Sequence, residues 1–137
     1  MKLKCMIIDD EPLAQKGMVE YVQDIDFLDL ATVCDNALQA NAFLKENNVD
    51  LILLDIQMPK LSGLDFLKSL TEPPVVIITT AYQEYALEGY ELNVTDYLVK
   101  PIDSNELIEA VEKAVKKVKP TSMQLNQLQK QMKGEKA

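Results

Sequence analysis

The chain has 137 residues and a hydrophobic fraction of 47%, which fits one domain with an aliphatic core and argues against global disorder. Its formal net charge is −8 and its fourteen basic residues are all lysine, a balance that disfavours a DNA-binding module. Histidine is absent, so Cys5 and Cys34 cannot complete a zinc site. We predict that both are buried thiols in a reduced compartment.

Five short aliphatic runs predict β-strands. Most are apolar at both odd and even positions, which is typical of parallel strands covered by helices on both faces. The predicted strands are Leu3–Ile8, Leu28–Cys34, Leu51–Leu54, Val75–Ile78 and Asp96–Val99.

Amphipathic stretches lie between these runs and predict helices. Leu13, Met18 and Val22 lie at helical spacing in the first stretch, and Asn36 or Asp35 is the expected N-cap of the second. The predicted helices are Pro12–Val22, Ala37–Leu44, Leu64–Leu70, Glu84–Leu92 and Asp103–Val118.

The last predicted helix is expected to be the longest, with Asp103 and Glu106 as its capping pair. Its predicted buried stripe consists of Leu107, Ile108, Val111, Ala114, Val115 and Val118. Strand and helix alternate five times, which predicts a single doubly wound (βα)5 domain of the α/β class with right-handed crossovers.

The character of the chain changes after Lys119, where Pro120 stops the last helix and Gln, Lys and Met dominate. We therefore divide the chain into a domain over residues 1–118 and a linker or tail over 119–137. A short interaction helix remains the alternative for this tail, because three apolar residues keep helical spacing: Leu125, Leu128 and Met132.

Polar residues close four of the predicted strands: Asp9, Asp10, Asp55, Thr80 and Lys100. Since the carboxyl ends of parallel strands meet at one edge, we expect these side chains to converge. Three carboxylates drawn together repel one another, and a hard cation such as Mg²⁺ with oxygen ligands relieves the repulsion. The alternative for the first acids, together with Glu11, is that they only cap the first helix.

Asp55 follows a purely aliphatic run and is therefore the candidate nucleophile at a central strand end. Carboxylates can accept a phosphoryl group to form an aspartyl phosphate. The Thr80 hydroxyl and the Lys100 ammonium are suited to contact the remaining phosphoryl oxygens. A bound metal ion would offset the charge that develops in the transfer.

Residues 3 to about 118 resemble the receiver domains of two-component response regulators. The stretch Thr80–Glu91 is most similar to receivers that precede a LytTR-type DNA-binding domain. The segments that carry the resemblance are Ile7–Pro12, Leu54–Pro59 with Ser62-Gly63, Thr80-Ala81 and Asp96–Pro101.

The resemblance implies a flavodoxin-like fold with a five-stranded parallel sheet in the order 2-1-3-4-5. It implies that Asp55 is the phospho-acceptor and that Asp10 binds Mg²⁺ (or Mn²⁺) directly. Asp55 and the backbone carbonyl of Gln57 would complete the direct ligands, with Asp9 acting through water.

It also implies a switch in which Thr80 moves toward the phosphoryl group, Lys100 pairs with that group and Tyr97 turns inward. The Lys100–Pro101 bond would be cis. Tyr97 has a simpler interpretation, which is packing beside the last strand. Pro59 and Gly63 are expected to shape the loop after the acceptor without a direct chemical role.

The implied partner is a sensor histidine kinase, with a small phosphodonor as an alternative source of the phosphoryl group. The candidate partner face for output is the surface of the predicted helix 84–92 and of the final strand, including Tyr90. A DNA-binding domain is expected to be missing from this chain, and a stand-alone receiver is the alternative. A homodimer formed on phosphorylation is a further hypothesis. The chain would not be a turnover enzyme on a separate substrate.

Three other functions remain to be compared with this one. A flavin- or nucleotide-binding domain conflicts with the acidic turn after the first strand, and a small hydrolase would want a cap domain. A pseudo-receiver that works without phosphorylation would normally lack a key residue. No apolar run approaches the ~18 residues of a membrane span, and Met1 leads into a strand pattern, so a cytoplasmic protein is predicted.

Overall fold

The computed structural model describes residues 2–56, 63–70, 74–81 and 94–117. Strands and helices alternate from the first strand to the fourth, as the sequence predicts, and the fifth strand is followed by the last helix. The strands are β1 (Leu3–Ile8), β2 (Leu28–Cys34), β3 (Leu51–Asp55), β4 (Val75–Thr80) and β5 (Asp96–Val99). The helices are α1 (Pro12–Gln23), α2 (Ala37–Glu46), α3 (Gly63–Ser69) and α4 (Ser104–Val115).

The five strands form one parallel sheet in the order β2-β1-β3-β4-β5, which confirms the predicted topology. The register aligns their carboxyl ends, because Ile8 pairs with Leu54 and Asp55 pairs with Thr79. One residue further along β4, Thr80 pairs with Val99. The residues that follow β1, β3, β4 and β5 therefore emerge at one edge of the sheet.

Hydrophobic side chains alternate between two cores, one on each face of the sheet. This explains why the central strands are apolar at both parities, since parallel strands between two helical layers are buried on both sides. On the α1 and α4 side, the buried residues of the central strands β1, β3 and β4 are Leu3, Cys5, Ile7, Leu51, Leu53 and Ile77. On the α2 and α3 side, they are Met6, Ile8, Ile52, Leu54, Val76 and Ile78.

The amino end of α2 is capped as predicted. Asn36 is its N-cap, and the side-chain oxygen accepts a hydrogen bond from the Gln39 backbone N–H at 2.9 Å. The capping pair predicted for the last helix is wrong. Asp103 is the N-cap residue of α4 but makes no side-chain capping hydrogen bond.

Two further expectations for α4 are also wrong. The helix ends at Val115 and has 12 residues, the same length as α1, so it is not the longest. Ile108 is 37% exposed, because the face that packs on the sheet repeats at three- and four-residue steps and position 108 lies beside it. The residues of that face are Leu107, Ala110, Val111 and Ala114.

The first helix also departs from its predicted stripe, since Leu13 is 78% exposed while Met18 and Val22 are buried. Val118, the predicted helix 84–92 and the tail 119–137 lie outside the described residues. Within the described ranges, no helix has both the length and the hydrophobicity needed to cross a membrane.

Cys5 and Cys34 are free thiols and both are buried, as predicted. Cys5 lies in the middle of β1 with no exposed surface, and burial raises its pKa from 9.0 to about 12. Burial likewise raises the pKa of Cys34, an effect that a hydrogen bond with Thr32 partly opposes.

This burial predicts a loss of stability in alkali. Because the unfolded thiol loses its proton near pH 9.0 and the folded thiol near 12, the Cys5 contribution is complete below pH 9.0 and declines up to about pH 12. We expect wild type to lose about 1.4 kcal/mol per pH unit relative to Cys5→Ala within this window. Urea unfolding at a series of pH values measures the unfolding free energy of both proteins. A difference between them that does not change with pH would contradict the raised pKa of Cys5.

Candidate functional site

Three carboxylates meet at the carboxyl edge of the sheet. Asp9 follows β1 and Asp55 closes β3, and both are only 4% exposed, whereas Asp10 is exposed. One carboxylate oxygen from each of the three residues lies within 4.8 Å of the others. The convergence predicted from the strand ends is therefore present.

Lys100, which follows β5, supplies positive charge to this cluster. Its Nζ lies 2.8 Å from Asp9 Oδ2 and 3.7 Å from Asp55 Oδ2. Burial lowers the pKa of Lys100, but the hydrogen bond with Asp9 and the charges of Asp55, Asp9 and Glu11 raise it by more. The net pKa lies above the ordinary value, so the lysine is an ammonium ion at neutral pH.

The loop that carries Lys100 is fixed by its main chain. The Lys100 N–H donates to the Thr80 carbonyl at 2.7 Å, which extends the pairing of β4 and β5 by one residue. The Lys100–Pro101 peptide bond is cis. Further along, the carbonyl of Ile102 accepts a hydrogen bond from the Tyr21 hydroxyl of α1 at 3.1 Å.

Asp9 is held by main-chain and side-chain contacts together. Its N–H donates to the Cys34 carbonyl at 3.1 Å, and its Oδ1 accepts from the Glu11 N–H at 3.0 Å. Glu11 is the N-cap residue of α1 but makes no side-chain capping bond. Helix capping by the acids does not account for Asp9, whose other carboxylate oxygen bonds Lys100.

The other predicted site residues have different surroundings. Thr80 is fully buried at the end of β4, next to Lys100 through the main chain. Tyr97 is half-buried on β5 and packs against the core on the α2 and α3 side. This packing agrees with the simpler interpretation of Tyr97 and leaves the predicted inward turn untested. Gln57 and Pro59 lie outside the described residues.

Gly63, the first residue of α3, touches the main chain of the predicted acceptor. Its N–H donates to the Ile56 carbonyl at 3.2 Å. A Cβ at this position would lie 2.5 Å from the Asp55 carbonyl oxygen and 2.6 Å from the Ile56 Cα. Only glycine fits this approach without displacing the backbone that carries Asp55, in line with the shaping role predicted for it.

Two residues of α1 make positioning contacts that were not anticipated from the sequence. Gln15 donates through Nε2 to the Asp9 carbonyl and to Asp35 Oδ1, and Tyr21 bonds the Ile102 carbonyl. Neither residue belongs to a motif. The available signal was helical spacing, since Gln15 lies four residues after Glu11, one turn into the helix above the Asp9–Asp10 loop.

The donor set suits a hard divalent cation. Carboxylate oxygens are the ligands that Mg²⁺ prefers, and it is typically held by one or two carboxylates with the remaining positions filled by water or phosphate. Among the described residues, three carboxyl groups face the ammonium group of Lys100, so formal negative charge is in excess at this edge. Exposed Asp10 gives an ion access from solvent.

A doubly wound parallel sheet with acidic side chains and a lysine at its carboxyl edge is the arrangement that the resemblance to receiver domains implies. A family model described as the response regulator receiver domain matches residues 5–112. The chain therefore belongs to the response-regulator receiver family.

Relatives and solved structures agree with this membership. The response regulatory domain of mrkE from Klebsiella pneumoniae superposes with a TM-score of 0.77 at 30% identity, covering 83% of this chain and 96% of that domain. The Francisella response regulator 1452 receiver domain gives a TM-score of 0.74 at 28% identity, covering 85% of this chain and 99% of that domain.

Among curated proteins, the chain is 38% identical over 132 residues to the positive alginate biosynthesis regulatory protein of Pseudomonas aeruginosa, covering 93% of this chain and 52% of that protein. It is 31% identical over 131 residues to the sensory transduction protein LytT of Bacillus anthracis, covering 91% and 52%. These relatives confirm the resemblance to LytTR-associated receivers. The chain spans about half the length of the curated relatives it matches.

The close approach at Gly63 predicts opposite effects for two glycine substitutions. Gly63→Ala should destabilise the protein by about 1–3 kcal/mol, because the new Cβ overlaps the Asp55 backbone. Gly17→Ala is the matched control on α1, where a Cβ meets nothing within 4 Å, and it should stabilise by about 0.5–1 kcal/mol. Chemical denaturation of both variants tests this, and equal effects would contradict the steric account.

Proposed function

We propose that this receiver domain takes a phosphoryl group onto Asp55 in a Mg²⁺-dependent reaction and thereby switches an output. The observation that carries the proposal is the convergence of the buried Asp55 carboxylate with Asp9, Asp10 and Lys100 at one sheet edge. General acid–base catalysis by carboxyl groups does not require a lysine between two of them. Transfer of an anionic phosphoryl group is favoured by the positive charge that such a lysine supplies.

The residues have separate roles in the proposed transfer. A carboxylate oxygen of Asp55 forms a bond to phosphorus as the bond between phosphorus and the donor breaks, and the donor leaves with the electron pair. Lys100, which contacts both Asp9 and Asp55 in the absence of phosphate, pairs with the arriving phosphoryl oxygens. The Thr80 hydroxyl donates to another of these oxygens.

Asp10, Asp55 and the Gln57 carbonyl are the proposed direct ligands of Mg²⁺ (or Mn²⁺), with Asp9 acting through water. When bound, the ion supplies positive charge that offsets the charge developing on the phosphoryl oxygens. The close approach of three carboxylates supports this assignment. Asp10 is the exposed member of the set and is therefore the ligand that an incoming ion meets first.

The switch that we propose follows from the charge added at Asp55. A phosphoryl group brings about −1.5 to −2 charge and three acceptor oxygens. Lys100, which is shared between Asp9 and Asp55, and the Thr80 hydroxyl would then contact the phosphoryl oxygens, which favours a second arrangement of the loops after β4 and β5. Tyr97, which lies on β5, would report this change by turning inward.

The proposed donor is a phosphohistidine on a sensor histidine kinase, or a small phosphodonor, and the proposed setting is the cytoplasm. The proposed output is transcription, since one relative is named a transcriptional regulatory protein. Residues 119–137 would then link the receiver to a DNA-binding domain, through which alone DNA is contacted. A homodimer formed on phosphorylation is part of the proposal and would be seen as faster sedimentation of the phosphorylated chain.

Phosphorylation can be tested by intact-protein mass after incubation with acetyl phosphate, with and without MgCl₂. We expect one phosphoryl adduct on wild type that requires Mg²⁺ and is absent from Asp55→Asn. Asp24→Asn, which removes an exposed carboxylate at the end of α1, is the matched control and should still form the adduct.

No adduct on wild type at any donor concentration would favour a pseudo-receiver that works without phosphorylation. An adduct that persists in Asp55→Asn would mean that another residue is the acceptor.

A further inference from the structure

Gln15 connects the metal-binding edge to the neighbouring strand. Its side-chain amide donates to the main-chain carbonyl of Asp9 and to Asp35 Oδ1, the latter at 2.7 Å. Asp9 directly follows β1 and Asp35 directly follows β2, so one side chain of α1 joins two adjacent strand ends. A primary amide has two N–H groups, and this geometry uses both.

The Asp9 carbonyl belongs to the peptide group that leads into Asp10. A hydrogen bond to that oxygen fixes the rotation of the peptide plane, and with it the direction in which the Asp10 side chain leaves the backbone. The rest of Asp9 is fixed by its bonds to the Cys34 carbonyl, the Glu11 N–H and Lys100. The Gln15 contact acts on the carbonyl at the Asp10 side of the residue.

The far end of the connection is also anchored. The Asp35 N–H donates to Gln39 Oε1 at 2.7 Å, and the Gln39 N–H donates to the Asn36 N-cap oxygen at 2.9 Å. Asp35 is thereby tied to the first turn of α2. Gln15 is thus held by a partner whose backbone is itself bonded to the first turn of α2.

We propose that Gln15 is a positioning residue for the divalent cation, acting through the Asp9–Asp10 peptide group to hold Asp10 in its ligating direction. This inference rests on the proposed function, since it assumes that Asp10 is a metal ligand. Partners that orient metal ligands from outside the coordination sphere typically change metal affinity by about 10–100-fold when removed.

The test is an NMR titration of the whole chain with MgCl₂, which gives the Kd of Mg²⁺ without any phosphodonor. Gln15→Met keeps the length and helix propensity of the side chain but removes both donors. Gln23→Met is the matched control, because Gln23 is exposed on the same helix and the same change is made there.

We expect Gln15→Met to raise the Mg²⁺ Kd by about tenfold and Gln23→Met to leave it unchanged. The carbonyl ¹³C resonance of Asp9 should shift in metal-free Gln15→Met, because that oxygen loses a hydrogen bond. Gln15→Asn is a second variant that keeps the amide but shortens its reach, and its Kd should also lie above that of wild type.

Equal Kd values for wild type and the two Gln15 variants would overturn the positioning role and leave the proposed function intact. An equal rise in Gln15→Met and Gln23→Met would also overturn it, since the effect would belong to the helix and not to the contact. A wild type that binds no Mg²⁺ would overturn the proposed function and this inference together.

Discussion

Repulsion between Asp9 and Asp55 is the constraint on which the site depends. Their carboxylate oxygens lie within 4.8 Å of each other and both residues are buried, so two unit charges repel by roughly 3 kcal/mol at an effective dielectric constant of about 20. Lys100 opposes this by contacting both carboxylates. The remaining negative charge favours an additional cation, and under the proposed phosphorylation Lys100 would gain a new anionic partner at Asp55.

The sheet prevents the cluster from relaxing by spreading apart. β3 is buried on both faces, and its pairing with β1 and β4 places Asp55 beside the end of β1 and level with Thr79. Gly63 packs against the backbone of Asp55. The aliphatic core thus contributes to function, because it holds the carboxylates of Asp9 and Asp55 close together. Counter-charges such as Lys100 reduce the repulsion between them.

Strand positions, sheet order and the acid cluster could be predicted because they follow from local patterns. Aliphatic runs mark β1 to β5, and the polar residue after each run is placed by topology alone. The contacts of Gln15 and Tyr21 were not predicted, because they depend on side-chain rotamers. The contacts with Asp35 and Ile102 also join α1 to loops that are distant in sequence. The exposure of Ile108 was missed for a related reason, since the packing of α4 on the sheet determines which of its faces is buried.

The most direct test of the charge balance is the gain in unfolding free energy that Mg²⁺ gives to wild type, Lys100→Met and Asp10→Asn. Binding to the folded state stabilises it in proportion to the logarithm of affinity. The account predicts a larger gain for Lys100→Met than for wild type, since the cluster then lacks its ammonium ion, and a smaller gain for Asp10→Asn. The same gain for all three proteins would contradict the account, because the cation would then be binding away from these carboxylates.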